Sequence, residues 1–335
     1  MDDQQRRGTR FLLYGIGFVV FQAAFFFLVL AVASTPWFLT HDGYPGMFQA
    51  GYSLRLQHQD CDVLIYGDSA ALTGLDPAIV QKISGLKTCN ISEAGGITEV
   101  VGSFFPLDAY LKNNKRPRFL LSMYTPRSNV DPYTIQPFAF YHPEGVLYGL
   151  QYDRSLEFYR GLLLRPVWLV NFTVWAGQSI LDDWLAHHEP GPHPPDVDTR
   201  AQRASQNGRW TYPLPPETAC VRTGSYIDPS LFGRYAASTD TMRKRYGTDG
   251  TRVVVDISPM ANCDRLQDVY RRQSEGLHDN AFEVVPVSYF NQGDIHFSAE
   301  GATYISTKIG NQILALEREQ DAQPAVATPS TGGGR

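Results

Sequence analysis

Apolar residues fall into three patterns along this chain, and each predicts a different kind of element. The first is one run over residues 11–33, interrupted only by Gln22 and small residues. A helix needs about 20 such residues to cross a bilayer core, so the run predicts a transmembrane segment. The second pattern is a set of short continuous stretches closed by turn residues. These are VLIY at 63–66, residues 88–91, RFLLSMY at 118–124, RVVVDIS at 252–258 and FEVVPV at 282–287. Continuous apolar runs of that length suit strands buried on both faces of a parallel sheet. The third pattern is helical spacing between the strands, at about 76–84, 98–111 and 262–277, and again from Ser298. In the last helix Ala302, Ile305, Ile309, Ile313 and Leu314 share an inner face. Strand and helix alternating in this way predict an α/β fold, a five-stranded parallel sheet with helices on both faces.

Two stretches break the rhythm. Residues 34–59 are mixed and rich in turn formers and read as a juxtamembrane linker into the 60–316 domain. Residues from about 125 to 250 form a large insertion after the third strand, rich in Tyr, Trp and Pro. Within it, 156–188 reads as helical and amphipathic around Leu162, Val167, Leu169, Trp175, Ile180 and Trp184. Arg165, Pro166 and Asn171 interrupt its most apolar part, which argues against a second span. The alternatives are a helix lying on the membrane surface or, the commoner arrangement, a cap over the sheet. From Glu317 the chain turns polar, then rich in Ala, Pro, Thr and Gly, and is expected to be disordered.

Charge orients the first helix. Arg6, Arg7 and Arg10 precede the run and no basic residue follows it closely, which predicts an inside amino terminus with the remaining chain outside the cytoplasm. Ala31-Val32-Ala33 before Ser34 has the small-x-small pattern of a cleaved signal. The run is long for a signal, so an uncleaved anchor over 11–33 is the preferred reading, and both readings export the domain. A formal net charge of −5 gives no basic footprint for nucleic acid. Export permits disulfides among the four cysteines. Cys61 enters the first strand at its lower end and Cys89 lies near the upper end of the second, so these two are expected to be too far apart. Cys220 with Cys263 is the expected pair. The histidines of HHEPGPHPP at 187–195 lack helix or strand spacing, and no metal site is expected. The many aromatics, 18 Tyr and 19 Phe, suit a sugar-stacking surface, a membrane-facing patch or a Tyr-rich core.

Candidate chemistry begins at Gly67-Asp68-Ser69. A serine just past the carboxyl end of a buried strand stands where open α/β sheets place ligands, although Gly-Asp-Ser is also an ordinary turn. A serine needs an adjacent base to become a nucleophile, and a histidine oriented by a carboxylate is the recurring solution. Asp294 and His296 lie before the last helix, on a loop that a parallel sheet would open on the same edge as Ser69.

YGDSAALTGLDP and DIHFSAEGA together resemble the first and last blocks of the SGNH, or GDSL-like, hydrolase superfamily. The resemblance implies a three-layer α/β/α flavodoxin-like fold with Ser69 as nucleophile, His296 as base and Asp294 as its orienting acid. It also implies an oxyanion hole from the Ser69 amide and the turn at Gly95-Gly96. The family's third block, Gly-x-Asn-Asp, is absent after the third strand, and the resemblance leaves Thr125, Arg127 or Asn129 to replace its donor. The usual Asp-x-x-His is shortened here to Asp-x-His, a spacing similar to that of membrane-associated relatives that O-acetylate alginate and related exported polysaccharides. The implied function is a polysaccharide O-acetyltransferase of the bacterial inner membrane with its catalytic domain in the periplasm. It would need no bound cofactor, its acyl donor coming from a partner protein or carrier. Implied partners are the polysaccharide, a multi-span membrane acyltransferase and a glycan synthase or secretion complex. A carbohydrate acetylesterase would use the same triad, and a catalytically silent scaffold of such a complex is the alternative outside enzymes.

Overall fold

The computed structural model describes residues 3–35, 37–38, 52–53, 56–93, 104–125, 146–147, 149–153, 156–188, 203, 205–211, 215–217, 230–248, 250–264, 266–291 and 296–322. Helix α1, Asp3–Ala33, contains a segment, Arg10–Ala33, that is long and apolar enough to cross a membrane. Only 6% of its most apolar window is buried within the protein. That is the opposite of a core helix, whose apolar side chains would be covered.

Four strands follow: β1, Val63–Gly67; β2, Thr88–Asn90; β3, Phe119–Tyr124; and β4, Arg252–Ile257. They pair in the order β2-β1-β3-β4, all parallel. Between β1 and β2 lie α2, Ser69–Gly74, and α3, Pro77–Ser84; α4, Phe105–Asn113, leads into β3. The start and end of α3 are written locally. Asp76 accepts from the Ala78 N–H at 2.9 Å, Pro77 takes the first turn, and Gly85 closes the helix at φ 76°.

Alternate residues of each strand face opposite cores. Val63, Ile65, Leu121, Met123 and Val254 pack with residues of α3 and of α9, Ala299–Ala322. Leu64, Tyr66, Leu120, Tyr124 and Val255 pack against α4 and α7, Ser230–Tyr246. Both sheet faces are therefore covered by helices, the reason β1 is apolar throughout and β3 and the middle of β4 are mostly so.

The expected fifth strand does not join this sheet. Residues 282–287 yield only β6, Val284–Val285, which pairs with β5, Met260–Ala261, in a separate two-stranded ribbon. The outer edge of β4 is already occupied: the Val255 N–H donates to Asp279 Oδ2 at 2.7 Å, and the Asp279 N–H donates to the Val255 carbonyl at 2.8 Å. Pro286, with no N–H to donate, then ends β6.

Three further expectations are revised. Residues 156–188 form two helices, α5, Leu156–Leu163, and α6, Pro166–His188, because Pro166 cannot continue the preceding helix. Among the described residues they pack on the carboxyl end of α1 and not on the sheet, with Phe158, Leu162, Phe172 and Ala176 against Ala33 and Phe38. The last helix continues past Glu317 to Ala322, and Glu317 pairs with Arg118 at 2.7 Å. Finally, Cys61 and Cys89 are disulfide-bonded, their Cα atoms 6.0 Å apart. Cys89 sits opposite Leu64, and the chain bends at Asp60, φ 47°, so that the Asp62 and Val63 N–H groups both reach the Lys87 carbonyl. Cys61 thereby folds over the Leu64 face instead of extending β1 downward. Cys263 is also disulfide-bonded, and Cys220 lies outside the described residues.

Candidate active site

The sequence order of the strands reverses between β1 and β3, and open α/β sheets bind ligands at such a switch point, beyond the carboxyl ends of the strands. Gly67 ends β1 opposite Met123, and a Cβ there would stand 1.8 Å from the Met123 carbonyl oxygen. Only glycine fits that approach. Asp68, 1% exposed, then binds in two directions. Its Oδ1 accepts from the Ala70 N–H at 2.9 Å, capping α2. Its Oδ2 accepts from both the N–H and the hydroxyl of Thr125, each at 2.7 Å. Asp68 thus fastens the turn after β1 to the residue that follows β3.

Ser69 is the first residue of α2 and 8% exposed. Among the described residues its N–H meets no acceptor and its hydroxyl makes no hydrogen bond. A first-turn amide has no intrahelical partner, so it is the donor a developing oxyanion would use. The Thr125 donors, by contrast, both go to Asp68. Thr125 is therefore engaged in holding the turn, not aimed at an oxyanion. Gly95, Gly96, Arg127 and Asp294 lie outside the described residues.

Helix α2 is held from three sides. From β2, Asn90 Nδ2 donates to the Ala71 and Leu75 carbonyls at 2.9 and 3.1 Å. The Glu93 N–H donates to the Gly67 carbonyl at 3.0 Å, drawing the loop after β2 to the end of β1. From the insertion, residues 205–211 meet the outer edge of β2 at Asn90, whose N–H reaches the Asn207 carbonyl at 2.9 Å. Arg203 anchors this segment. Fully buried, it donates to the Gly208 and Ser92 carbonyls, each at 2.9 Å, and lies 3.9 Å over the Tyr52 ring. Beyond it, Arg209 pairs with Asp76, and the Trp210 N–H donates to the Leu72 carbonyl at 3.2 Å. The insertion therefore contributes a half-buried arginine and tryptophan beside α2.

The third side is the loop before α9. Phe290 and Phe297 form an antiparallel bridge with rings 5.1 Å apart, and the Asn291 N–H donates to the His296 carbonyl at 2.8 Å. The Phe297 ring lies on Gly74, where a Cβ would approach it to 2.3 Å. Phe297 thus packs at the carboxyl end of α2, the end away from Ser69, with the half-buried His296 next to it in the chain. No hydrogen bond joins the Ser69 hydroxyl to the His296 ring among the described residues. Behind the site, burial drives the Tyr66 phenol well above its ordinary pKa, and Tyr124, 5.9 Å away edge to face, adds to the shift. The Tyr66 phenol stays neutral and acts as packing.

Asp68, Asn90, Arg203 and Arg209 escaped the sequence reading. The Asx pattern at Asp68-Ser69-Ala70 carries a cap signal, but its second grip on Thr125 crosses 57 residues and has none. No family model, no curated protein and no solved structure matches this chain.

Proposed function

We propose that the chain is a membrane-anchored SGNH-like O-acetyltransferase acting on an exported polysaccharide from a bacterial inner membrane. The observation that carries the reading is Ser69 at the head of α2, just past β1, with no partner on its amide or hydroxyl among the described residues, in a helix whose other end, Gly74, is covered by the Phe297 ring next to His296 in the chain. The strand order β2-β1-β3-β4 agrees with a flavodoxin-like core. In the proposed cycle His296 takes the Ser69 proton as Oγ attacks the acyl carbonyl, and returns it to the leaving group. The acyl-enzyme is then attacked by a sugar hydroxyl, whose proton passes to His296 and back to Ser69. Asp294 would fix the imidazole, and the Ser69 amide with the Gly95-Gly96 turn would hold the oxyanion. A multi-span acyltransferase would supply the acyl group.

Ser69→Ala tests this. Acyl transfer by the purified full chain to an oligosaccharide is expected to fall at least about a thousandfold, with the denaturation midpoint unchanged. Undiminished transfer would refute the reading. A scaffold in the same complex is the second reading, favoured by the engagement of both Thr125 donors with Asp68. In that case Ser69→Ala leaves polymer acetylation in cells intact.

A further inference from the structure

The helical pair α5–α6 carries an apolar surface that the sheet does not use. Its inner side covers the carboxyl end of α1, and Gln151 Nε2 donates to the Thr35 carbonyl at 2.8 Å beneath the joint. Its outer side is exposed: Leu163 is 64%, Leu164 69% and Val167 66% exposed at the turn between the helices, and Val170 and Val174 continue the stripe along α6. These are aliphatic residues at consecutive turns of a helix, where a water-facing helix would carry charge.

Three observations say what covers that surface. First, it is continuous with α1. The partly covered positions Gln22, Phe26, Val29, Leu30 and Ala33 recur at helical spacing along one face of α1, while its other faces stay exposed and apolar. That face runs about 16 Å at 1.5 Å per residue, roughly half a bilayer core. Second, four of the five tryptophans, Trp37, Trp168, Trp175 and Trp184, gather on this part of the protein, the residue type enriched at membrane interfaces. Third, the one basic side chain of the turn is wrapped: Arg165 donates to the Gly161 carbonyl at 3.1 Å and lies 4.8 Å over the Trp168 ring. A shielded, snorkelling arginine suits a leaflet boundary. α5 has 8 residues, about 12 Å of helix, too short to cross, so the pair must enter and return on one side.

We infer that the α5–α6 hairpin is seated in the leaflet from which the carboxyl end of α1 emerges, its turn and the Val167–Val174 face in contact with lipid acyl chains. The protein then meets the bilayer at two places, and the domain is held at a fixed tilt and height. This rests on α1 being a membrane anchor, so the test separates the two. The full chain is reconstituted in phosphatidylcholine nanodiscs with one environment-sensitive label on an introduced thiol. The sites are Phe18→Cys in α1, Leu164→Cys in the turn, and Arg271→Cys on α8, Gln267–Ser274; among the described residues no native cysteine is free. The expected result is blue-shifted emission at 18 and 164, quenched by spin-labelled lipid and protected from iodide, with the reverse at 271. Lipid contact at 18 with iodide access at 164 overturns the hairpin and leaves the anchor. Lipid contact at 18 with 164 shielded from both quenchers means a protein partner or a second copy, and also overturns it. Iodide access at 18 defeats the anchor itself. The unmodified chain offers a check without substitution: brominated lipid should quench most of the tryptophan emission, whereas quenching limited to the share of Trp37 refutes the hairpin.

Discussion

Asp68 is the residue whose removal most directly tests how the candidate site is assembled. Its carboxylate accepts hydrogen bonds from Ala70 at 2.9 Å and from the two donors of Thr125 at 2.7 Å, three among the described residues, and it is 1% exposed. Hydrogen bonds to a charged, buried acceptor contribute about 1.5–3 kcal/mol each, and a buried donor left unpaired costs about 1–3 kcal/mol. Asp68→Ala strips all three, and with partial relaxation the loss should be about 4–6 kcal/mol, a large part of a domain's usual 5–15 kcal/mol. Asp68→Asn keeps one acceptor but turns an NH2 toward Ala70 or Thr125, so about 2–3 kcal/mol is expected. Thr125→Val removes one donor and should cost about 1–2 kcal/mol in a background with Asp68, and much less in Asp68→Ala. The assay is urea denaturation of the detergent-solubilised chain followed by circular dichroism, completed as a double-mutant cycle. The three bonds do not hold the turn if Asp68→Ala costs under about 1 kcal/mol or if the two substitutions are additive within about 0.5 kcal/mol.

Other expectations follow from single contacts. Gly67→Ala forces a methyl into the Met123 carbonyl and should destabilise by at least about 3 kcal/mol, read by the same denaturation; near-neutrality would mean β1 and β3 part more easily than the register implies. Replacing both Cys61 and Cys89 by alanine opens a loop closed across a separation of 28 residues and should lower stability by about 2–4 kcal/mol, absent under reductant. Tyr304 donates to Glu283, and that bond, with a smaller part from burial, raises its phenol from 10.0 to about 12. The neutral form is favoured by folding, so the contribution is complete below pH 10.0 and is lost as pH rises through about 12. An absorbance titration of the native chain minus Tyr304→Phe should show that late phenolate; a difference centred at 10.0 would deny the hydrogen bond.

The parts of this fold legible in the sequence are those set by local apolar runs. β1, β3 and the Val253–Val255 core of β4 are short apolar runs, so hydrophobicity alone finds them. Residues 282–287 look equally strand-like, but whether they join the sheet depends on the edge of β4, which Asp279 takes from a turn with no periodicity. The break at Pro166 was visible as a residue; its consequence, a hairpin folded onto α1, was not, because periodicity shows an apolar face without showing what covers it. A straight strand would hold Cys61 and Cys89 apart, and residue type gives no sign of the bend at Asp60 that brings them together. At the candidate site, Ser69 and His296 stand out by residue type, whereas Asn90 and Arg203 act through backbone carbonyls and leave no pattern.

The bond between Cys61 and Cys89 has a consequence for when the site can become ordered. β2 has three residues and carries Asn90, whose amide grips two carbonyls of the helix that Ser69 begins. So short an edge strand frays readily in isolation, and the covalent link to the start of β1 keeps it registered. With the thiols reduced that link is absent and the grip on α2 is expected to loosen. Oxidation of the pair would therefore act as a maturation step, tightening the serine turn only where the thiols meet oxidising conditions.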